Sequence, residues 1–237
     1  MKIINKILVF TATYNESENI LKFINQVFNA SDQVDLLIVD DNSPDKTFEI
    51  IASHPLINKN IFLNVREKKL GLDTAHKFAY NYAKKRGYIK LITMDADLSH
   101  DPKEIPKFIN LLDQYEFVLG SRYVEGAKNN QAKIRYLISY FGNKLIKIIL
   151  DSELNEYTSS YRGFNLDKLK DFNLNKIKAG GYSFFMGTIY NLKLDNIRMI
   201  EIPIIFNDRH HGKSKIPKIE IFRTSFNLIK ILLKKLI

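Results

Sequence analysis

The chain contains no cysteine, which excludes a disulfide framework and any thiolate-bound metal. Nor does any apolar run reach the roughly 18 uninterrupted residues that a membrane-spanning helix needs. The N-terminus lacks the apolar core and cleavage site of a signal peptide, so a cytoplasmic location is expected, with any membrane contact peripheral. No Pro/Gly/Ser-rich linker, internal repeat or low-complexity run divides the 237 residues, and 45% hydrophobic content is enough for one substantial core. Acidic residues are also in short supply. With 26 Asp and Glu against 36 Lys and Arg, the formal charge is +10 and favours polyanions: nucleic acid, an anionic membrane surface or a phosphorylated substrate. An RNA-recognition motif with paired aromatics is missing, and the cations gather near the polar clusters described next, so nucleic acid is not the expected partner.

Apolar runs alternate with helical patterns. Ile7-Leu8-Val9-Phe10, Leu36-Leu37-Ile38-Val39, Ile61-Phe62-Leu63, Leu91 to Met94 and Phe117-Val118-Leu119 read as buried strands. Helices are expected from about Ser17 to Phe28, capped by Asn15 or Ser17, from about Thr74 to Arg86, and near Pro102 to Leu112. This order predicts an α/β fold with a mainly parallel sheet covered on both faces, and ligands at the carboxyl ends of its strands.

Polar clusters follow those strand ends. Asp95-Ala96-Asp97 sets two carboxylates one residue apart just past a strand, where both can turn toward one hard cation that also bridges two phosphates. An isolated Asp-x-Asp is more often a helix cap beside a solvated acid. Here Thr13-Tyr14-Asn15-Glu16 and Asp40-Asp41-Asn42-Ser43-Pro44-Asp45 accompany it. Asp40 and Asp41 can accept hydrogen bonds from a base or ribose but repel phosphate, which assigns them to the nucleoside end; an ordinary Asx turn is an equal alternative by composition.

These segments, with Arg66 to Leu72, Gly120-Ser121-Arg122-Tyr123 and Gly212-Lys213-Ser214-Lys215, run in the order found in a known group. From about residue 7 to residue 215 the chain resembles the dolichol-phosphate (polyprenol-phosphate) mannosyltransferases of the family-two glycosyltransferases. The resemblance implies a GT-A, Rossmann-like nucleotide-sugar transferase fold over residues 1–215. It implies transfer of a hexose, usually mannose from GDP-mannose, to a polyprenyl monophosphate with inversion. By the same resemblance Ala12, Tyr14, Glu16, Val39, Asp41 and Ala96 line the donor site, with Tyr14, Glu16, Val39 and Asp41 at the nucleoside. Asp95 and Asp97, with Ser99, hold Mg²⁺ or Mn²⁺. Arg122 and Arg135 face phosphates, and Asp95, Asp97 and Arg209 carry catalysis, with Arg209 and Lys215 neutralising donor and acceptor phosphates.

The chain departs from that pattern in places. Ala12 stands where Pro is usual and Asp73 where a small residue is common, while Phe185 and Gly187 replace a Gln and a Glu, which would alter sugar or acceptor recognition. A hydroxyl acceptor needs a carboxylate base, whereas a phosphate monoester is already anionic. The late Glu-Asp pair of hydroxyl-using relatives is absent, which fits a phosphate acceptor. Glu156 could serve as a base, although an orienting or sugar-contact role suits it better, with an exposed loop acid as the plain alternative.

Arg209-His210-His211-Gly212-Lys213-Ser214-Lys215 reads as a phosphate-closing loop. Its adjacent histidines project apart and do not make a metal site. Residues 216–237 read as an amphipathic helix, with Ile219, Phe222, Phe226, Ile229, Leu233 and Leu236 along a stripe flanked by Arg223, Lys230 and Lys234. It could lie on an anionic membrane surface or pack on the domain or on a second subunit; a membrane-anchoring partner and a homo-oligomer are both left open. Alternatives to the main expectation are a family-two transferase acting on a saccharide hydroxyl and a non-catalytic nucleotide-sugar-binding protein.

Overall fold

The computed structural model describes residues 6–207 and 228–229. Arg209, Lys215 and nearly all of the expected C-terminal helix lie outside the described residues; Leu228 and Ile229 are helical.

The elements run β1 (Ile7–Thr13), α1 (Ile20–Ala30), β2 (Val34–Asp40), α2 (Thr47–Ala52), β3 (Ile61–Val65), α3 (Leu72–Arg86), β4 (Lys90–Thr93), α4 (Ile105–Leu111) and β5 (Phe117–Ser121). They continue with β6 (Lys128–Asn129), α5 (Lys133–Leu150), β7 (Arg162–Asn165), α6 (Tyr182–Leu194), β8 (Met199–Pro203) and β9 (Ile205–Phe206). A seven-stranded sheet has the order β3-β2-β1-β4-β7-β5-β8, and β6 pairs with β9. In the large sheet β7 alone is antiparallel to its neighbours, so the expectation of a mainly parallel sheet holds.

Strand alternation builds two cores, since successive side chains point to opposite faces. Leu8 and Phe10 of β1 join a cluster with Ala75, Ala79 and Tyr80 of α3 and Phe184 and Phe185 of α6. Ile7 and Val9 join Phe23, Ile24 and Val27 of α1 and Ile105 and Phe108 of α4. Each fully buried Leu, Ile, Val or Phe among these contributes about 1.5–3 kcal/mol, well above the ~0–1 kcal/mol of an exposed ion pair, so these two layers hold the sheet edge that carries the polar loops.

Three boundaries differ from expectation for local reasons. Helix α1 begins at Ile20, because Asn15 and Ser17 are engaged elsewhere: their N–H groups donate to Ser43 Oγ (3.0 Å) and Asp45 Oδ2 (2.9 Å). Asn19 is the N-cap, without a capping side-chain bond. Helix α3 begins ahead of Thr74, following Gly71, whose φ of 98° suits glycine. The stretch from Pro102 opens as a 3₁₀ turn, Pro102–Glu104, before α4.

Candidate active site

Because β2, β1 and β4 are parallel neighbours, the loops after them share one edge of the sheet. The first two loops are stitched together. Asp41 N–H donates to the Thr13 carbonyl (3.1 Å), and Glu16 N–H to Thr47 Oγ1 (2.9 Å). Asp40 is fully buried and accepts from Thr13 Oγ1 (2.7 Å), Ser43 N (2.8 Å) and Ser43 Oγ (2.6 Å). This corrects its assignment to a base or ribose, because its carboxylate is consumed in holding the two loops in register. Val39 is buried too, so its side chain belongs to the core.

Three expected nucleoside residues surround this junction. Tyr14 is half-buried with the Lys69 ammonium 4.4 Å from its ring centre. Glu16 accepts from Asn19 Nδ2 at 2.8 Å. Asp41 pairs with Arg66, which also donates to Thr74 Oγ1 (2.6 Å) and the Gly71 carbonyl (3.3 Å), tying the end of β2 to the start of α3. Burial raises the Asp41 carboxyl above its ordinary value even against the Arg66 charge, and Asp40 adds to the rise. A perturbed carboxyl beside a specific charged partner is a common mark of a functional site. Ala12 is half-buried on β1 beside Val39.

At the end of β4, Asp95 and Asp97 are held by hydroxyls. Ser160 Oγ donates to Asp95 Oδ1 (2.6 Å), while Ser99 donates to Asp97 Oδ1 through both Oγ (2.6 Å) and N–H (3.1 Å). Asp95 is the more open, with its side chain 37% exposed; Asp97, Ala96 and Ser99 are buried. Leu98 between them takes a φ of 63°, which bends the backbone sharply. Asp95 N–H donates to His100 Nδ1 (3.1 Å), so that nitrogen is an acceptor and its 3.9 Å approach to Asp95 Oδ2 is not an ion pair. Burial lowers the His100 pKa and keeps the ring neutral despite Asp95 and Asp97. Among the described residues no group of three or more His, Cys, Asp or Glu forms a ready-made metal cage. Two carboxylates remain a hard-oxygen donor set that suits Mg²⁺ or Mn²⁺ when phosphate oxygens and water complete the shell.

Arg122 follows β5 and reaches Glu156, donating from Nε to Oε2 (2.7 Å) and from Nη2 to Oε1 (2.9 Å), and also to Thr158 Oγ1 (2.8 Å). Glu156 is fully buried and accepts further from Thr158 and Ser159 N–H. Burial pushes its carboxyl up, but the Arg122 charge and donated bonds outweigh this and hold it below the ordinary value. An acid so enclosed and so weakly basic is no general base, and it is not an exposed loop acid either. Glu201 of β8 braces the same loop by accepting from Asn155 N (2.8 Å) and Glu156 N (2.7 Å).

The departures now have physical accounts. Phe185 is buried against His76, with ring centres 5.0 Å apart, and its carbonyl accepts from Arg162 Nη1 (2.9 Å). Burial, with Arg162 adding to it, lowers the His76 pKa to about 3, leaving a neutral ring in an apolar setting. At Gly187 a Cβ would meet Ile177 Cγ2 at 3.1 Å, so the segment before α6 packs where a longer side chain would begin. Asp73 Oδ1 accepts from Gly181 N–H (3.3 Å), linking α3 to α6.

Arg135 lies in the first turn of α5 and is exposed. The sequence reading did not single out Ser160, Glu201 or the Arg66 pairing with Asp41. Arg66 and Asp41 each stand in a named cluster, but partners 65 residues apart for Ser160 and Asp95 and 25 apart for Arg66 and Asp41 are set by the fold.

Comparison with known proteins fits this arrangement. The profile described as Glycosyl transferase family 2 matches residues 8–172. An undecaprenyl-phosphate mannosyltransferase of Micrococcus luteus is 32% identical over 212 residues, covering 89% of this chain and 87% of the relative. A polyprenol monophosphomannose synthase of Mycolicibacterium smegmatis is 30% identical over 224 residues, covering 93% and 84%. Among solved structures, glucosyl-3-phosphoglycerate synthase from Mycobacterium tuberculosis, in complex with Mn²⁺, UDP and glucosyl-3-phosphoglycerate, superposes with a TM-score of 0.66 at 18% identity, covering 98% of this chain and 80% of that one. A mannosyltransferase from Pyrobaculum calidifontis in complex with GDP-Man and Mn²⁺ gives 0.63 at 14% identity, covering 98% and 64%. At these identities the solved structures speak to the fold, which is shared.

Proposed function

The chain belongs to glycosyl transferase family 2, and from that premise we propose that it moves mannose from GDP-mannose onto a polyprenyl monophosphate with inversion at the anomeric carbon. It is a GT-A-fold glycosyltransferase; the donor, the acceptor and the residue roles are the proposal. The observation that carries it is the pair of near-full-length relatives whose names specify polyprenyl phosphate and mannose.

The site geometry is consistent with that chemistry. Tyr14, Glu16 and Asp41 would bind the nucleoside and Asp95 and Asp97 the cation, which when bound offsets negative charge on the leaving diphosphate. Glu156, held ionised by Arg122, is better suited to positioning Arg122 and the 156–160 turn than to taking a proton. A phosphate acceptor asks for no such base, because its own oxygen is the anionic nucleophile. Arg135 would face the acceptor phosphate. Arg209 and Lys215, outside the described residues, would add positive charge, and residues 1–215 would form the catalytic unit. No helix among the described residues is long and apolar enough to cross a membrane; the polyprenyl acceptor would place the work at the cytoplasmic face of a membrane.

Incubation with Mn²⁺, a panel of nucleotide sugars and a short polyprenyl phosphate tests this reading. A glycolipid bearing one hexose, formed from GDP-mannose and lost on chelation, is the expected product by mass. Transfer to a soluble oligosaccharide alone would favour a polysaccharide-building transferase, and donor binding without turnover a non-catalytic one.

Ser160 gives a finer test. Groups that orient a metal-binding carboxylate are worth about 10–100-fold in metal affinity. Ser160→Ala, which removes the 2.6 Å bond to Asp95, should weaken Mn²⁺ binding in the presence of GDP by about tenfold. Titration calorimetry checks this; unchanged Mn²⁺ affinity would assign the hydroxyl to the turn alone.

A further inference from the structure

Asp73 stands in the first turn of α3, where its carboxylate meets two glycine-bearing segments at the edge of the sheet that carries the polar loops. A Cβ at Gly71 would lie 3.1 Å from Oδ1, and one at Gly180 would lie 3.8 Å from both carboxylate oxygens. A side chain at either position would begin against the carboxylate and cover it. Gly181 donates its N–H to Oδ1 at 3.3 Å, from a backbone at φ 58° and ψ −138° that residues with side chains avoid. Oδ2 lies 4.0 Å from Lys77 Nζ, beyond hydrogen-bond reach, and that ammonium donates to the Ile177 carbonyl at 2.8 Å.

Its neighbours tie this carboxylate to both ends of the donor site. On the nucleoside side, the Gly71 carbonyl and Thr74 Oγ1 accept from Arg66, the partner of Asp41. On the cation side, the N–H of Met94, the residue before Asp95, donates to the Phe10 carbonyl (3.0 Å), and the Phe10 ring meets His76 edge-on at 5.1 Å. Asp73 precedes His76 by three residues of α3, which carries it about 4.5 Å closer to the edge where Asp95 stands. His76 also touches Phe184 and Phe185 of α6, with ring centres 5.8 and 5.0 Å away. The first turn of α6 holds no acidic residue. Asp73 therefore brings a carboxylate from α3 to the place where the nucleoside loop, the end of β4 and the start of α6 meet.

We propose that Asp73 is a specificity-determining residue that contacts the donor's hexose. Oδ1 fixes Gly181 and with it the start of α6, while Oδ2 accepts a hydrogen bond from a sugar hydroxyl. An ionised carboxylate is purely an acceptor, and a site built to hydrogen-bond a hydroxyl rejects the analogue that lacks it. Asp73 makes and breaks no covalent bond, so its effect falls on recognition of the hexose and not of the nucleotide. The assignment rests on the nucleotide-sugar reading above.

Titration calorimetry on the full chain with Mn²⁺ tests it, using GDP, the nucleotide hexose that the wild type prefers, and the monodeoxy versions of that hexose. At least one monodeoxy donor should bind the wild type about tenfold more weakly than its parent, as expected for a lost hydrogen bond to a charged group. Asp73→Asn keeps an Oδ1 acceptor for Gly181 and places an amide donor at Oδ2. In that variant the parent donor should weaken by about tenfold and the penalty for the one hydroxyl should shrink to about threefold or less, with GDP affinity and melting midpoint unchanged. Equal affinity of the wild type for the parent and every monodeoxy donor, or a penalty of the same size in Asp73→Asn, would overturn the proposal. Weakening of GDP in step with the donor would assign Asp73 to anchoring α6, and a fall in the melting midpoint would give Oδ2 a partner within the chain; either result overturns sugar contact. Preference of the wild type for a hexose other than mannose would overturn the donor reading alone, because the same series on that hexose still decides the role of Asp73.

Discussion

Asp97→Asn should lower transfer by about 10³-fold, equivalent to ~4 kcal/mol of transition-state stabilisation, while the protein remains folded. The substitution is nearly isosteric and keeps an Oδ1 acceptor for the Ser99 hydroxyl and N–H, at 2.6 and 3.1 Å in the native turn. The bend after β4 therefore has no reason to change, and thermal stability should shift by less than about 1 kcal/mol. What is lost is a negative charge on a residue that is 5% exposed, beside the place proposed for a divalent cation and a diphosphate. Mn²⁺ binding in the presence of GDP should fall in parallel with turnover. A folded Asp97→Asn enzyme with near-normal turnover would show that the carboxylate is structural and would remove the central element of the site.

Where the sequence was legible, a simple pattern coincided with a simple environment. Strands β1 and β2 carry the apolar runs Ile7–Phe10 and Leu36–Val39 because helices cover both faces, and each ends where its polar cluster begins. Later elements carry mixed signals. Strand β7 contains Arg162, fully buried and donating to the carbonyls of Ser159, Tyr157 and Phe185. A guanidinium in a four-residue strand does not read as sheet, and burial pushes its pKa down to about 9 even with Glu156 opposing the shift. Helix α6 is enclosed along most of its length and lacks the polar stripe that marks a surface helix. Helix α5 is apolar on opposite faces, which blurs its period.

The candidate site divides in the same way. The local Asp95-Ala96-Asp97 pattern could be read directly, as could the hydroxyls of Ser99 and Ser43 within three residues of the acids they serve. The opposite functions of two adjacent acids could not. Asp40 is saturated by Thr13 and Ser43, whereas Asp41 faces Arg66, and that difference depends on loops brought together by strand pairing.

Breaking the Arg122–Glu156 pair should have the largest effect on stability. Glu156→Ala removes the carboxylate that accepts two bonds from a guanidinium only 8% exposed, and with it the acceptor of the Thr158 and Ser159 N–H groups. Loss of one partner from a buried pair costs about 3–5 kcal/mol, much more than an exposed pair of the same geometry. Glu156→Ala combined with Arg122→Met should recover part of that loss, since no charge is then stranded. The pair also makes a signed prediction for pH. The folded state holds the Glu156 carboxyl below its ordinary value of 4.5, so its stabilising contribution is fully present above that value and is lost as pH falls below it. Burial raises Glu201 above 4.5 despite the bonds from Asn155 and Glu156, so its contribution has the opposite sign and declines as pH rises through that region. Denaturant midpoints measured from pH 6 to pH 3 should therefore fall less steeply in Glu156→Gln than in the wild type, and more steeply in Glu201→Gln. An identical pH slope in the wild type and Glu156→Gln would mean that Glu156 is not ionised in the fold and does not hold Arg122 as an ion pair.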